Sequence, residues 1–287
     1  MVKIVKHTLE LVKFSHTLFA MPFALTAMFY AKRQVPPWPL FLKIFACLIL
    51  ARTAAMAFNR LVDAPLDAKN PRTVNRHLPA GILSKPYVIG LVVVSSLLFI
   101  VTTYFINPLS FWLSPLALLI VLGYSLTKRF THYTQLFLGL SLSIAPIAAW
   151  IAVTGKIETP PLLLGIAVLF WVAGFDIIYS TQDYEFDRQH SLKSLVVLMG
   201  PKRALLLSRL FHLIFWVILG LFAYFMDLYW LGWVGSLFVG VILMAEHSLL
   251  KLDQPKKITA AFFTANGILS VVYFVMVSLD LFLHVPS

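Results

Sequence analysis

The sequence predicts an all-α integral membrane protein, with about nine transmembrane helices bundled around a central apolar cavity and a single domain over residues 1–287. Three observations predict this. The chain is 60% hydrophobic, with a mean hydropathy of +0.87. Only 12% of its residues are charged, about half the share usual in a soluble domain. Its apolar stretches also run for about 20 residues, enough for a helix to cross a bilayer, without the period-two alternation of a membrane barrel.

Charge and Pro/Gly punctuation divide the chain into spans at approximately 14–31, 39–60, 87–106, 109–127, 134–153, 161–180, 204–226, 228–250 and 258–283. Most separators are short: Lys32 to Trp38, Asn107-Pro108, Lys128 to Tyr133, Gly155 to Pro160, Met226 to Leu228 and Lys251 to Lys257. Two are long, Leu61 to Pro86 and Thr181 to Arg203. Lys32-Arg33, rather than a small-residue cleavage site, follows the first apolar run, so no cleavable signal peptide is expected. Cys47 is the sole cysteine, which excludes an internal disulfide and any cysteine-rich metal site.

The net charge of +11 would suggest nucleic acid in a soluble protein. In a membrane protein, basic loops facing anionic lipid explain it, so membrane lipid and no nucleic acid is the expectation. With nine spans, the N-terminus and the two long loops share one side. That side carries 17 of the 23 Lys and Arg, and the other carries four, Lys32, Arg33, Lys43 and Lys156. The positive-inside rule makes the first side cytoplasmic, in a bacterial inner membrane.

Half of the 12 acidic residues lie in two short stretches, one opening each long loop. The first, Asn59 to Asp67, reads N-R-L-V-D-A-P-L-D. The second, Asp176 to Asp187, reads D-I-I-Y-S-T-Q-D-Y-E-F-D. Asn59, Asp63 and Asp67 fall at i, i+4 and i+8, one face of a continuing helix. Pro65 threatens that continuity, because it removes a helical hydrogen bond, so Asp67 is expected to act from a loosened turn. Asp176, Tyr179, Asp183 and Asp187 form a second stripe at i, i+3, i+7 and i+11. A lone Asp at a helix end is ordinarily a solvated interface residue. Two facing ladders are different, because such carboxylates cannot all stay ionised without cations between them. Hard oxygen donors suit Mg2+, which typically bridges carboxylates to phosphates.

Cations follow the ladders. Lys69, Arg72, Arg76 and His77 succeed the first, and Lys128-Arg129 lie in Y-S-L-T-K-R-F-T-H. With Mg2+ they make a clamp for a diphosphate, and the apolar spans offer room for a lipid tail. Arg52, two turns deeper than Asn59 on the same face, is a functional candidate because an intramembrane charge needs a partner.

At these residues the chain resembles the UbiA-type intramembrane aromatic prenyltransferases, over essentially its whole length. N-R-L-V-D-A-P-L-D is similar to their N-x-x-x-D-x-x-x-D motif, and D-I-I-Y-S-T-Q-D-Y-E-F-D to their D-x-x-Y-x-x-x-D-x-x-x-D motif. N-R-L-V-D with R-H-L-P-A-G downstream resembles the 4-hydroxybenzoate polyprenyltransferase branch and its menaquinone-pathway relatives. Many members have Asn-Asp where this chain has Asn59-Arg60, so position 60 is not counted as a ligand.

The resemblance implies that Asn59, Asp63, Asp67, Asp183 and Asp187 hold Mg2+ against a polyprenyl diphosphate. It implies that Arg72, Arg76, Lys128 and Arg129 grip the diphosphate oxygens, and that Arg52 meets an aromatic acid acceptor. Asp176, Tyr179 and Asn59 would be catalytic, with Tyr124 lining the reacting centre. The implied reaction is Mg2+-dependent transfer of a polyprenyl group to a hydroxylated aromatic acid in quinone biosynthesis. 4-Hydroxybenzoate is the first acceptor considered, with a dihydroxynaphthoate, or haem in a farnesyl transferase, as alternatives. An ion-coupled secondary transporter is the rival from another class. Its acids would favour the bilayer midplane, whereas most acids here sit at span ends.

Overall fold

The computed structural model describes the backbone of residues 2–12, 20–250 and 255–284, and the side chains of 4–12, 20–250 and 264–284. Residues 14–19 of the first expected span, and residues 251–254 of the Lys251 to Lys257 separator, lie outside the described residues.

All regular structure among the described residues is helical. A short amphipathic helix, α1 (Val2–Leu11), precedes α2 (Met21–Tyr30). The long helices follow: α3 (Trp38–Asp67), α4 (Lys85–Tyr104), α5 (Pro108–Gly123), α6 (Thr134–Thr154) and α7 (Thr159–Ser180). Two short helices, α8 (Tyr184–Gln189) and α9 (Leu195–Met199), lead into α10 (Pro201–Phe225), α11 (Trp230–Leu249) and α12 (Pro255–His284). Eight of these elements are long and apolar enough to cross a membrane. The first expected span is represented by the ten described residues of α2.

Local chemistry sets where the helices begin. Proline occupies the first turn of α2, α3, α4, α5, α7 and α10, where its missing N–H is not needed and its fixed φ is already helical. Ser84, Asn107 and Ser194 supply side-chain caps to α4, α5 and α9. Gly155 ends α6 with φ +70°, a conformation disfavoured for residues with a Cβ. Asp227, with φ +50°, turns the chain between α10 and α11 at the expected Met226 to Leu228 separator.

Helix α7 is the most buried span and packs chiefly against α6 and α10. Lipid tails are as apolar as leucine, so close approach and hydrogen bonds hold such helices together more than water exclusion does. Gly139 of α6 meets the backbone of Leu169, and Gly174 of α7 meets the His212 ring; a Cβ at either would collide. A buried polar network then joins four helices. Trp171 Nε1 donates to Asn266 Oδ1 at 2.7 Å, Asn266 Nδ2 donates to Glu246 Oε1 at 3.1 Å, and His212 meets His247 at 2.9 Å.

Contacts between separators sort them into two ends. At one end, Arg33 donates to the Met226 carbonyl, Lys43 to that of Phe105, and Asn107 to that of Ile151. The long loops meet at the other end.

Candidate active site

The first ladder stands on an unbroken helix. Helix α3 runs through Pro65 to Asp67, so the expected loosening does not occur. Pro65 is solvent-exposed and removes one bond near the helix end, where the chain has other partners. Asp63 and Asp67 are 4% and 6% exposed, which requires each to be matched. Lys128 Nζ lies 2.7 Å from Asp63 Oδ2, with Arg129 at 3.7 Å from Oδ1, and Asn59 Nδ2 donates to Asp63 at 3.2 Å. Arg76 Nη1 donates to both Asp67 oxygens, at 2.8 and 2.9 Å.

The second ladder stands on a divided backbone. After Ser180 the chain tightens into a 3-10 turn, Thr181–Asp183, before α8 begins. Asp183 therefore ends one element and Asp187 belongs to the next, rather than both extending α7 as the spacing suggested. Arg72, from the loop after the first ladder, donates through Nε to Asp183 Oδ1 at 2.8 Å and through Nη2 to Oδ2. Its Nη1 donates to the Tyr179 hydroxyl at 2.7 Å, and its guanidinium lies 5.1 Å from the Tyr179 ring centroid. Burial acts to lower the Arg72 pKa, yet the bonds and charge of Asp183, with Tyr179, hold it above its ordinary value.

These contacts bring the two ladders to one place. Asp187 is within electrostatic reach of Asp183, Lys128, Arg72 and Asp63, and half-buried Asp176 is in reach of Asp183, Asp187 and Lys128. The backbone agrees, since Lys193 N donates to Lys128 O at 2.8 Å, joining the loop after α8 to the turn after α5. No three ladder carboxylates lie within 4.8 Å of one another among the described residues. The ladders thus face each other as two separate donor groups. A ligand with several oxygens could span them.

Tyr124 begins the 3-10 turn Tyr124–Arg129 that carries Lys128 and Arg129. It lines, with Arg52 and Phe175, an apolar cavity of about 420 Å³ between α3, α4, α5 and α6. Arg52 and Tyr124 are within electrostatic reach of each other, so they form the polar end of an otherwise greasy chamber. One residue escaped the sequence reading. Asn70 accepts from Arg72 N at 2.9 Å and donates to Asp183 at 3.1 Å, fixing the loop to the second ladder; the Asn-Pro turn signature at 70–71 was its signal. Arg60 lies in electrostatic reach of Asp63, Asp67, Tyr124 and Arg76, so the motif departure sits inside the site.

The donor set fits Mg2+. Four carboxylates and one amide offer hard oxygens, and Asp63 Oδ1 is buried without a hydrogen-bond donor.

Comparison with known proteins gives a consistent result. The sequence model described as the UbiA prenyltransferase family matches residues 20–268. A 4-hydroxybenzoate octaprenyltransferase of Francisella tularensis subsp. mediasiatica is 32% identical over 211 residues, covering 72% of this chain and 74% of that protein. The apo structure of a UbiA homolog from Aeropyrum pernix superposes with a TM-score of 0.84 at 28% identity, covering 92% of this chain and 98% of the other. A UbiA homolog from Archaeoglobus fulgidus bound to GPP and Mg2+ superposes with a TM-score of 0.72, covering 95% and 99%. At 19% identity that last likeness is one of fold.

Proposed function

The chain belongs to the UbiA prenyltransferase family, and from that premise we propose that it moves a polyprenyl group from an allylic diphosphate to the ring of a hydroxylated aromatic acid, with 4-hydroxybenzoate as acceptor and Mg2+ as cofactor. The observation that carries this reading is the meeting of both acidic ladders with Arg72, Arg76, Lys128 and Arg129, next to the cavity that Arg52 and Tyr124 line.

Asn59, Asp63, Asp67, Asp183 and Asp187 would hold Mg2+, which when bound neutralises charge on the departing diphosphate. Arg72, Arg76, Lys128 and Arg129 stand at the ladders paired with carboxylates or a carbonyl, and would exchange those partners for phosphate oxygens once the carboxylates hold the metal. The allylic C–O bond breaks and its electron pair leaves with pyrophosphate. The ring carbon ortho to the phenol supplies the pair for the new C–C bond, and the proton on that carbon is then lost. The apolar wall keeps water from the allylic cation. Arg52 would pair with the acceptor carboxylate. Asp176 would orient or deprotonate the hydroxyl, and Tyr179 would face the reacting centre. The excess of Lys and Arg on the ladder side supports a cytoplasmic address for that end.

An acceptor screen with labelled prenyl diphosphate, purified protein and Mg2+ tests this. Product is expected with 4-hydroxybenzoate and is expected to vanish with EDTA and return with Mg2+. Activity that survives EDTA would overturn the metal assignment. Faster turnover of a dihydroxynaphthoate would move the acceptor assignment to the menaquinone side.

A further inference from the structure

Away from the ladders, three nitrogen and oxygen donors converge from two distant stretches. His7 and Glu10 lie at i and i+3 on α1, and His77 lies in the loop after α3. Glu10 Oε2 is 3.2 Å from His77 Nε2 and 3.5 Å from His7 Nδ1. Donor atoms of all three fall within 4.8 Å of one another. Tetrahedral bonds of about 2.0–2.1 Å to zinc place neighbouring ligand atoms about 3.3–3.4 Å apart, between the two observed separations.

The surroundings favour a ligand over a plain ion pair. His7 Nδ1 is buried without a hydrogen-bond partner. The two imidazoles meet edge-on, with centroids 5.5 Å apart, so both can present nitrogen to one point. Lys6, 4.0 Å from Glu10 Oε1, would explain one salt bridge but not two imidazoles at the other oxygen, Oε2.

We propose that His7, Glu10 and His77 form a second metal site, for a divalent transition-metal ion of the zinc class, that ties α1 to the loop carrying Arg72 and Arg76. Imidazole nitrogens prefer such ions over Mg2+, so this site and the oxygen-donor ladders separate their metals by donor chemistry. Helix α1 otherwise meets the bundle through the packing of Leu11 against Ala57 and Val88 and through a 2.8 Å hydrogen bond between Thr8 and Tyr87. The metal would reinforce the link that Glu10 and His77 already make between α1 and the cationic loop.

The test uses full-length, tag-free protein in detergent, with Co2+ as a visible probe and Zn2+ as its competitor. One equivalent of Co2+ is expected to give four-coordinate absorption bands that Zn2+ bleaches. Excess Mg2+ and the substitution Asp63→Ala should leave those bands in place. His7→Asn, Glu10→Gln and His77→Asn should each weaken binding at least about tenfold. Zn2+ should also slow tryptic cleavage after Lys6, whose side chain is 73% exposed, in the unaltered protein but not in Glu10→Gln. The proposal fails if the substituted proteins bind Co2+ as the unaltered protein does. It also fails if the unaltered protein binds Zn2+ no more tightly than about 100 μM. Because three substitutions are compared, one that misfolds leaves the other two to decide.

Discussion

The first ladder rides on one helix of 30 residues, whereas the second is shared between the end of α7, a 3-10 turn and α8. The first holds its acids at 4% and 6% exposure beneath cations from two other segments. In the second, Asp183 and Asp187 are only half-buried, and Asp183 is steadied by Arg72 and Asn70 from the opposite loop. A continuous helix fixes its side chains through its own hydrogen bonds. A segmented one needs outside contacts, and Arg72 and Asn70 supply them here. The first ladder is therefore the fixed half of the proposed clamp, and the second is adjustable.

The largest expected effect is on the fixed half. Asp63→Ala should lower kcat/KM by about 10³-fold, because it removes an oxygen donor and leaves Lys128 and Arg129 without their carboxylate. Asp183→Ala should cost less, about 10²-fold, and the double substitution should abolish measurable turnover. Equal losses from the two single changes would break the contrast between the ladders.

Arg72→Ala comes next. A loss of about 10²-fold is expected, with KM for the prenyl diphosphate raised. Limited proteolysis between α7 and α8 should quicken in the same protein. Arg72→Lys should recover only part of the activity, since lysine cannot bond both Asp183 oxygens and Tyr179 at once. Unchanged proteolysis would show that the second ladder needs no support from the loop.

Arg52→Ala addresses the cavity instead. Steady-state kinetics should show an acceptor KM raised about tenfold, with the diphosphate KM nearly unchanged. The reverse order would assign Arg52 to the diphosphate. The smallest effect belongs to Pro65→Ala, expected to leave kcat within about threefold, because α3 already continues past this position. A large loss would mean that the missing N–H at Pro65 shapes the first ladder after all.

Much of this was legible in the chain. Apolar runs of bilayer length locate most of the helices to within a few residues, although α3 continues to Asp67, beyond the expected end at 60, and the i, i+4, i+8 spacing aligns Asn59, Asp63 and Asp67 on that continuation. What the sequence obscured depends on tertiary partners. Proline ordinarily breaks a helix, yet Pro65 sits near the helix end on an exposed face, where losing one bond is tolerated. The 3-10 turn after Ser180 carries no Gly or Pro to announce it. Which cation meets which acid, Arg72 with Asp183 but Arg76 with Asp67, is decided by loop folding, because both arginines precede the second ladder by 100 residues or more. Asn70 reads as a turn residue until Asp183 is seen beside it.

The pairing of every clamp cation with a ladder carboxylate or a nearby carbonyl bears on selectivity against the membrane itself. Phospholipid headgroups in the surrounding leaflet vastly outnumber any prenyl diphosphate, and a patch of bare arginines would be coated by them. A lone phosphate arriving here would have to separate an ion pair and strand an aspartate. Under the proposed function, a diphosphate travelling with its metal ion would bring both signs of charge, so the aspartates would gain a metal as the arginines gained phosphate. On the proposed function the clamp would discriminate by exchange of partners, because a phospholipid headgroup, even one with its own ammonium, brings phosphate without a metal for the buried aspartates to ligate.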